Sequence, residues 1–542
     1  MMTYKKYYWL NEDSRTFLSR GYITGSAEQR IKDISNHAEK LLGIGGFAHK
    51  FEDYMSRGFY SLSTPVWCNF GKNTGLPISC YGSHIDDSLD SILNAGREIG
   101  MMSKYGGGTS AYLGNIRPIG SSISGGGKAD GPVHYAKIYD TIIDVCKQAE
   151  SRRGSCAVWL PVEHNDIYEL LNIGTEGNPI QNLQYGVTIT DKWMNEMISG
   201  DINKRKIWAK IIQRRSEFGF PYIMFKDTTN NNSPYKELGL EILHSNLCSE
   251  IALPNDSYNS FVCCLGSINL LHWDEIEKTD AIETYILFLN AVIDEFIMKA
   301  HSLHGMKRAQ RFAEEHRAIG LGVLGWHSYL QSKLIDFESL EAKQNNYKIF
   351  KTIDERSQKA SKWCYEFLGK KSIREGYANT TLLAIAPTKS SSYILGQVSM
   401  GIEPIKSNYF VKDLAKIKSI YKNEFLEKEL EKYNLNTPEV WQSILDRDGS
   451  VQHLDFPTKT VFKSFIEITP KEIITQAAQR QQFIDQSQSV NLMIHPSVSA
   501  KDINKLYISA WKEGVKTLYY QFSQSSAQSF ARDINNCVAC ES

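Results

Sequence analysis

The sequence has no apolar leader and no long apolar run. Its start, MMTYKKYYWLNEDSR, carries nothing like the hydrophobic stretch of a secretory signal. The longest helix-like apolar stretch, Tyr285 to Met298, includes Asp294 and Glu295, so it is too short and too charged to cross a bilayer. These absences predict a cytoplasmic chain with no membrane partner. Charge of one sign is not in excess either: Lys+Arg and Asp+Glu stand at 61 each. That balance gives no general attraction to nucleic acid, although local patches survive the argument. There is no repeat of roughly 20–50 residues and no low-complexity linker. There is no HExxH, and the single CxxC, Cys537 to Cys540, has no second pair. A zinc site needs four clustered ligands, so no metal site is predicted.

What is present supports a large folded body. The apolar share is 42% and the charged share 23%, both ordinary for a globular protein. At about 150 residues per domain, 542 residues amount to three or four domains, or to one large barrel with appendages. Helical spacing begins after Ser26, where S-x-x-Q fits a capping box and Ile31, Ile34, Ala38, Leu41 and Leu42 follow. Beyond Tyr60 the texture changes. Short apolar runs, Tyr185–Thr190, Cys264–Leu271, Thr381–Ala386 and Lys516–Phe522, read as strands. Ala281–Ala300 and Asp502–Gly514 read as helices. The alternation predicts an α/β architecture. Ser523 to Ser542 reads as a polar, flexible tail.

Ten cysteines, at 68, 80, 146, 156, 248, 263, 264, 364, 537 and 540, are the informative count. In a reducing compartment such thiols are buried, metal-bound or catalytic, and burial is the default for any one of them. Six short constellations stand out. Asn246, Cys248 and Glu250 alternate, and in an extended segment they would share one face; a solvated edge strand has the same pattern. Cys263 and Cys264 would point to opposite faces of a strand, so only one can join a given site. Ser79-Cys80 follows a turn. After Pro387, Thr388, Lys389, Ser390 and Ser391 could bind an anion or simply cap a helix. Tyr519-Tyr520 reads as strand packing, although phenols can also carry one-electron oxidation. Cys537 and Cys540 on a polar terminus suit a redox shuttle better than a core. The glycine runs at 106–108 and 125–127 read as loops; the second misses the nucleoside-triphosphate pattern at Ser122 and Ala129.

Taken together and in this order, from Trp9–Arg15 to the terminal cysteines, these segments resemble the large, catalytic subunit of class I ribonucleotide reductases. The resemblance implies a ten-stranded α/β barrel over 61–522, with Cys248 on a central finger loop. A short helical region, 1–60, would precede it and a redox tail, 523–542, would follow. It implies that Cys248 is the thiyl-radical cysteine, Glu250 the base at the 3′-hydroxyl, and Asn246 a hydrogen-bond partner of the substrate hydroxyls. Cys80 and Cys263 would be the reducing dithiol, leaving Cys264 in the core. Tyr519 and Tyr520 would be a stacked pair relaying the radical. Cys537 and Cys540 would re-reduce the active-site disulfide. Thr64, Ser79, Thr388, Lys389, Ser390 and Ser391 would hold the substrate diphosphate. Asp87, Ser88, Arg117 and Arg153 would bind or read a dNTP or ATP effector with Mg2+.

The implied partners are ribonucleoside diphosphates, a second copy of the chain, thioredoxin or glutaredoxin, and a metal-containing small subunit that supplies the radical; no covalent cofactor is implied. Only seven residues precede Tyr8, so no N-terminal ATP-binding cone is expected. Two features depart from the pattern: the tail spacing is CxxC, and Lys389 stands where some members have an acid. A class II reductase, which makes its radical with adenosylcobalamin, is the nearest rival. The tyrosine pair argues against it.

Overall fold

The computed structural model describes residues 6–146, 154–414 and 417–523, without the side chains of 411–419. Three helices open it: Glu12–Ser19, Ala27–Leu42 and Phe47–Ser56. The second starts where Ser26 predicts, the serine oxygen accepting the Gln29 N–H at 3.2 Å. The capping box is only half made, because the Gln29 amide turns forward to Asp33 at 2.8 Å. Gly43, at φ 68°, ends the helix in the left-handed conformation that glycine adopts without strain. The buried face of these helices is continuous with the main core. Phe51, for one, stacks on Phe288 of the helix Ala281–Ala300 at 4.3 Å between ring centroids.

Thirteen strands are described: β1 (Tyr60–Leu62), β2 (Cys80–His84), β3 (Gly108–Tyr112), β4 (Cys156–Pro161), β5 (Gln184–Ile189), β6 (Tyr222–Phe225), β7 (Phe261–Asn269), β8 (Ile319–Leu324), β9 (Tyr409–Leu414), β10 (Ile417–Lys422), β11 (Leu492–Met493), β12 (Thr517–Leu518) and β13 (Gln521–Phe522). The main sheet runs β1-β7-β2-β3-β4-β5-β6-β12, with β8 on the other side of β7. β2 to β6 are parallel neighbours, and β7 runs antiparallel to β2 and β1. Most residues of β4 to β6 are buried, as expected of parallel strands covered on both faces.

Among the described residues the main sheet holds nine strands, where ten are expected. The remaining gap, between β8 and β12, is crossed by two extended segments that make isolated bridges, Leu321 to Leu383 and Ile385 to Gln488. The second segment continues to Val490, whose carbonyl accepts the Tyr519 N–H at 2.9 Å. The expected strand Thr381–Ala386 is one of these segments. It is not a full strand because the Asp485 carboxylate takes the N–H groups of Leu382 and Leu383, at 2.7 and 2.9 Å, that a ladder would otherwise use. The expected strand Lys516–Phe522 divides into β12 and β13 around Tyr519 and Tyr520. There the Arg215 guanidinium binds the Tyr519 carbonyl at 2.8 Å, and the Asn491 side chain accepts the Tyr520 N–H at 3.0 Å. The helix Ala281–Ala300 matches its predicted limits, and the later one runs Ala500–Lys512.

One feature has no counterpart in the sequence reading. The hairpin β9–β10 leads into the helices Glu424–Lys432 and Pro438–Leu445. Leu426, Leu430, Trp441, Ile444, Val451, Phe456, Val461 and Phe462 form a core of their own there, separate from the main one. Among the described residues no helix is long and apolar enough to cross a membrane.

Candidate active site

Asn246, Cys248 and Glu250 do converge, but not by strand alternation. Residues 245–252 form a turn closed by an antiparallel bridge between Ser245 and Ala252. Asn246 Oδ1 accepts the Ile251 N–H at 3.2 Å, and Ser245 Oγ donates to the Ile251 carbonyl at 2.6 Å. Ser249 sits at φ 66°, left-handed and costly for a residue with a Cβ. The turn therefore brings Leu247 to the same cavity as Asn246, Cys248 and Glu250. Residues far along the chain pin it. Ser489 Oγ donates to the Cys248 carbonyl at 2.6 Å, Thr517 Oγ1 to the Ser249 carbonyl at 2.8 Å, and the Ser487 N–H to the Glu250 carbonyl at 2.9 Å.

Burial pushes the Glu250 carboxyl up to about 7. Hydrogen bonds from Asn246 and from Ser489 Oγ, the latter at 3.2 Å, pull the other way. A carboxyl poised near neutrality suits a group that takes and returns a proton.

The cysteines divide as their register dictates. Cys80 opens β2 and lies directly opposite Cys263 of β7 in the antiparallel ladder. Directly opposed residues share a face with Cα atoms about 4.5–5.5 Å apart. That lies within the roughly 4.4–6.8 Å that a disulfide spans. Cys264 points to the other face and is buried, with its thiol pushed up by that burial. Cys80 lines the cavity beside Ser79, and the Asn246 amide reaches its sulfur at 3.7 Å. Gln486 Nε2 reaches Cys263 Sγ at 3.3 Å.

The cavity is also rich in hydroxyls: Ser61, Ser63, Ser79, Ser267, Thr388 and Ser391 line it. Thr388, at φ 54°, accepts the Gly401 N–H on Oγ1 at 2.8 Å. Thr64, Lys389 and Ser390 are not among the lining residues. Thr64 opens the helix Thr64–Asn69 next to Ser63, Lys389 is exposed, and Ser390 Oγ accepts from the Tyr22 hydroxyl at 3.4 Å. The empty space, mouth included, is about 530 Å³.

Tyr519 and Tyr520 are in contact, but tilted rather than stacked, with centroids 4.4 Å apart and planes at 59°. Tyr222 of β6 touches both, at 4.8 and 5.1 Å. Asp87 is paired with Arg117 at 2.7 Å, and Ser88 caps the helix Leu89–Lys104 through the Ser91 N–H. Arg153, Cys537 and Cys540 lie outside the described residues. Sequence reasoning missed Tyr222, Gln486 and Ser489. The polar run Asp485–Ser489 looks like loop, yet Gln486 to Ser489 are all buried. Buried polar groups must find partners, and here those partners belong to the site.

Comparisons with known proteins agree with this geometry. A family model described as "Ribonucleotide reductase, barrel domain" matches residues 78–202, 195–364 and 356–521. The chain belongs to the ribonucleotide reductase family. It is 31% identical to the ribonucleoside-diphosphate reductase large subunit of Invertebrate iridescent virus 3, over 91% of this chain and 92% of that one. It is 33% identical to a putative large subunit of Frog virus 3, over 87% of each. Among solved structures, the Actinobacillus ureae class Id ribonucleotide reductase alpha subunit aligns with a TM-score of 0.92 at 49% identity, covering 99% of this chain and 100% of that one. The resemblance drawn from the motifs therefore holds at the level of the family and its α/β barrel.

Proposed function

We propose that this chain is the catalytic large subunit of a class I ribonucleotide reductase and converts ribonucleoside diphosphates to 2′-deoxyribonucleoside diphosphates. One observation carries the reading: Asn246, Cys248, Glu250 and Cys80 border one cavity, and Cys263 stands opposite Cys80 in the ladder. The Cys248 thiyl radical takes the 3′ hydrogen of the ribose. Glu250 takes the 3′-hydroxyl proton, and Asn246 orients the substrate hydroxyls. The 2′-hydroxyl leaves as water. Cys80 and Cys263 supply two electrons and two protons and become a disulfide, and Cys248 returns the hydrogen to C3′. The diphosphate lies among the hydroxyls, near Thr64, Ser79 and the segment Thr388, Lys389, Ser390 and Ser391.

The radical comes from a metal-containing small subunit and passes through Tyr520 and Tyr519 to Cys248. The contact between the two rings supports such a relay. Cys537 and Cys540 re-reduce the disulfide and are themselves reduced by thioredoxin or glutaredoxin. A dNTP or ATP effector with Mg2+ binds near Asp87, Ser88, Arg117 and Arg153. The site lies beside a homodimer face. The packed helices Leu89–Lys104 and Pro132–Val145 leave Leu89, Leu93 and Val145 exposed, which suits a second copy of the chain. The setting is cytoplasmic.

The test is deoxycytidine diphosphate formation from CDP with a dithiol reductant and an effector nucleotide. One arm adds the small subunit from the same source; the other adds adenosylcobalamin. Product only with the small subunit is expected. Product with adenosylcobalamin alone moves the chain to class II and makes Tyr519 and Tyr520 packing residues.

A further inference from the structure

The two sulfurs of the opposed pair do not meet the cavity equally. Cys80 lines it and is 8% exposed; Cys263 lies behind and is fully enclosed, at 0%. Cys263 is walled in by β8, where a Cβ added at Gly320 would come within 3.3 Å of its sulfur. It also has the shorter amide contact, 3.3 Å from Gln486 Nε2 against 3.7 Å from Asn246 Nδ2 to Cys80. The Gln486 amide is held from both ends. Nε2 also reaches the Ile319 carbonyl at 2.9 Å and Thr381 Oγ1 at 3.2 Å, and Oε1 accepts the Ala252 N–H at 3.2 Å. The amide is thus held against the sulfur before any reaction begins.

Thiol–disulfide exchange depends on which sulfur an incoming thiolate can reach and on how well the other sulfur carries charge as it departs. Access selects one polarity here, and the amide N–H beside Cys263 gives the enclosed sulfur a donor as it departs. We infer that exchange at the Cys80–Cys263 disulfide runs one way: the incoming thiolate attacks Cys80, and Cys263 departs as a thiolate held by the Gln486 N–H. This rests on the reading of Cys80 and Cys263 as the reducing pair. The incoming electron pair forms the new bond to Cys80, and the pair of the broken bond leaves on Cys263, which then takes a proton. A second thiol of the incoming dithiol displaces Cys80. Both cysteines end as thiols and the incoming dithiol ends as a disulfide. Burial raises the Cys263 thiol well above its ordinary range, and the Gln486 N–H works against that rise. Gln486 is therefore the leaving-group donor.

The experiment uses the full chain carrying Cys537→Ser and Cys540→Ser, so that no tail thiol competes. The protein is oxidised, exposed briefly to cysteamine, quenched with N-ethylmaleimide and mapped by peptide mass spectrometry. Cysteamine on Cys80 with maleimide on Cys263 is expected. Cysteamine on Cys263, or shared equally, overturns the polarity. If oxidation forms no Cys80–Cys263 disulfide, the reading of the pair fails, and the polarity with it. A second measurement replaces the donor by an apolar side chain of similar length, Gln486→Met, and follows the rate of disulfide cleavage by cysteamine at fixed pH. The loss of one hydrogen bond to the departing sulfur should slow cleavage by about three- to tenfold. An unchanged rate removes Gln486 from the role. If Gln486→Met does not fold, the mapping in the Gln486-containing chain decides alone.

Discussion

The turn at 245–252 and the small core built on 424–462 are held by opposite means. The turn is secured by hydrogen bonds from distant segments: Ser487, Ser489 and Thr517 each bind one of its carbonyls. The small core closes on eight buried apolar side chains, all within 37 residues of one another in sequence. Directional contacts fix where an atom sits, and losing one partner leaves a buried group unsatisfied. Apolar contacts fix mainly that the surface is covered, and swaps that conserve volume are tolerated. The contrast separates a part of the molecule built for atomic position from a part built for stability.

The most severe test of that contrast is Cys248→Ser. It should reduce turnover to background while the thermal midpoint stays within a few degrees, because a hydroxyl fills nearly the same space. Residual steady turnover measured as deoxycytidine diphosphate would strip Cys248 of its role. Next comes Glu250→Gln, with an expected loss of about 10²- to 10⁴-fold in turnover. With Glu250 intact, kcat/KM should rise through about pH 7, where its carboxyl loses its proton. A limb near the ordinary carboxylate range would show that burial does not tune this group. The same shift has a stability consequence. A carboxyl raised above its ordinary 4.5 favours the folded state most below that pH, and this contribution fades as the pH climbs through about 7.

Leu430→Ala tests the other side. It should cost about 2–5 kcal/mol of local stability, read as faster amide hydrogen exchange across 424–462, with turnover changed by less than about twofold. A large fall in turnover would mean that the two regions are not separable. The smallest shift in the pH profile is expected for Ser489→Ala, which removes the hydroxyl shared between the Cys248 carbonyl and the Glu250 carboxylate. The ionised form loses support, so the rising limb should move to higher pH by less than about one unit. A shift to lower pH would contradict the contact.

The sequence was legible where one local rule dominates. The helix Ala281–Ala300 has a wide apolar face that is buried along its length. Asn246, Cys248 and Glu250 were recognisable as a set, yet the mechanism of their convergence was not, because the left-handed Ser249 and the Ser245–Ala252 bridge depend on partners more than 200 residues away. Thr381–Ala386 has strand composition, but Asp485 claims two of its N–H groups, and no local pattern announces that. Gln486 and Ser489 sit in a run whose polarity mimics a surface loop, so their burial hides them. The core at 424–462 was missed because its apolar residues carry ordinary helical spacing and nothing marks them as a separate cluster.

The register of Cys80 against Cys263 has a mechanical meaning as well as a chemical one. A ladder already brings their backbones to bonding distance, so the pair can close and open while β2 and β7 stay hydrogen-bonded to each other. If the pair cycles as proposed, no hinge is worked and no strand has to separate between one turnover and the next. The frame that carries the sulfurs would undergo no fatigue cycle, however often the bond between them is made.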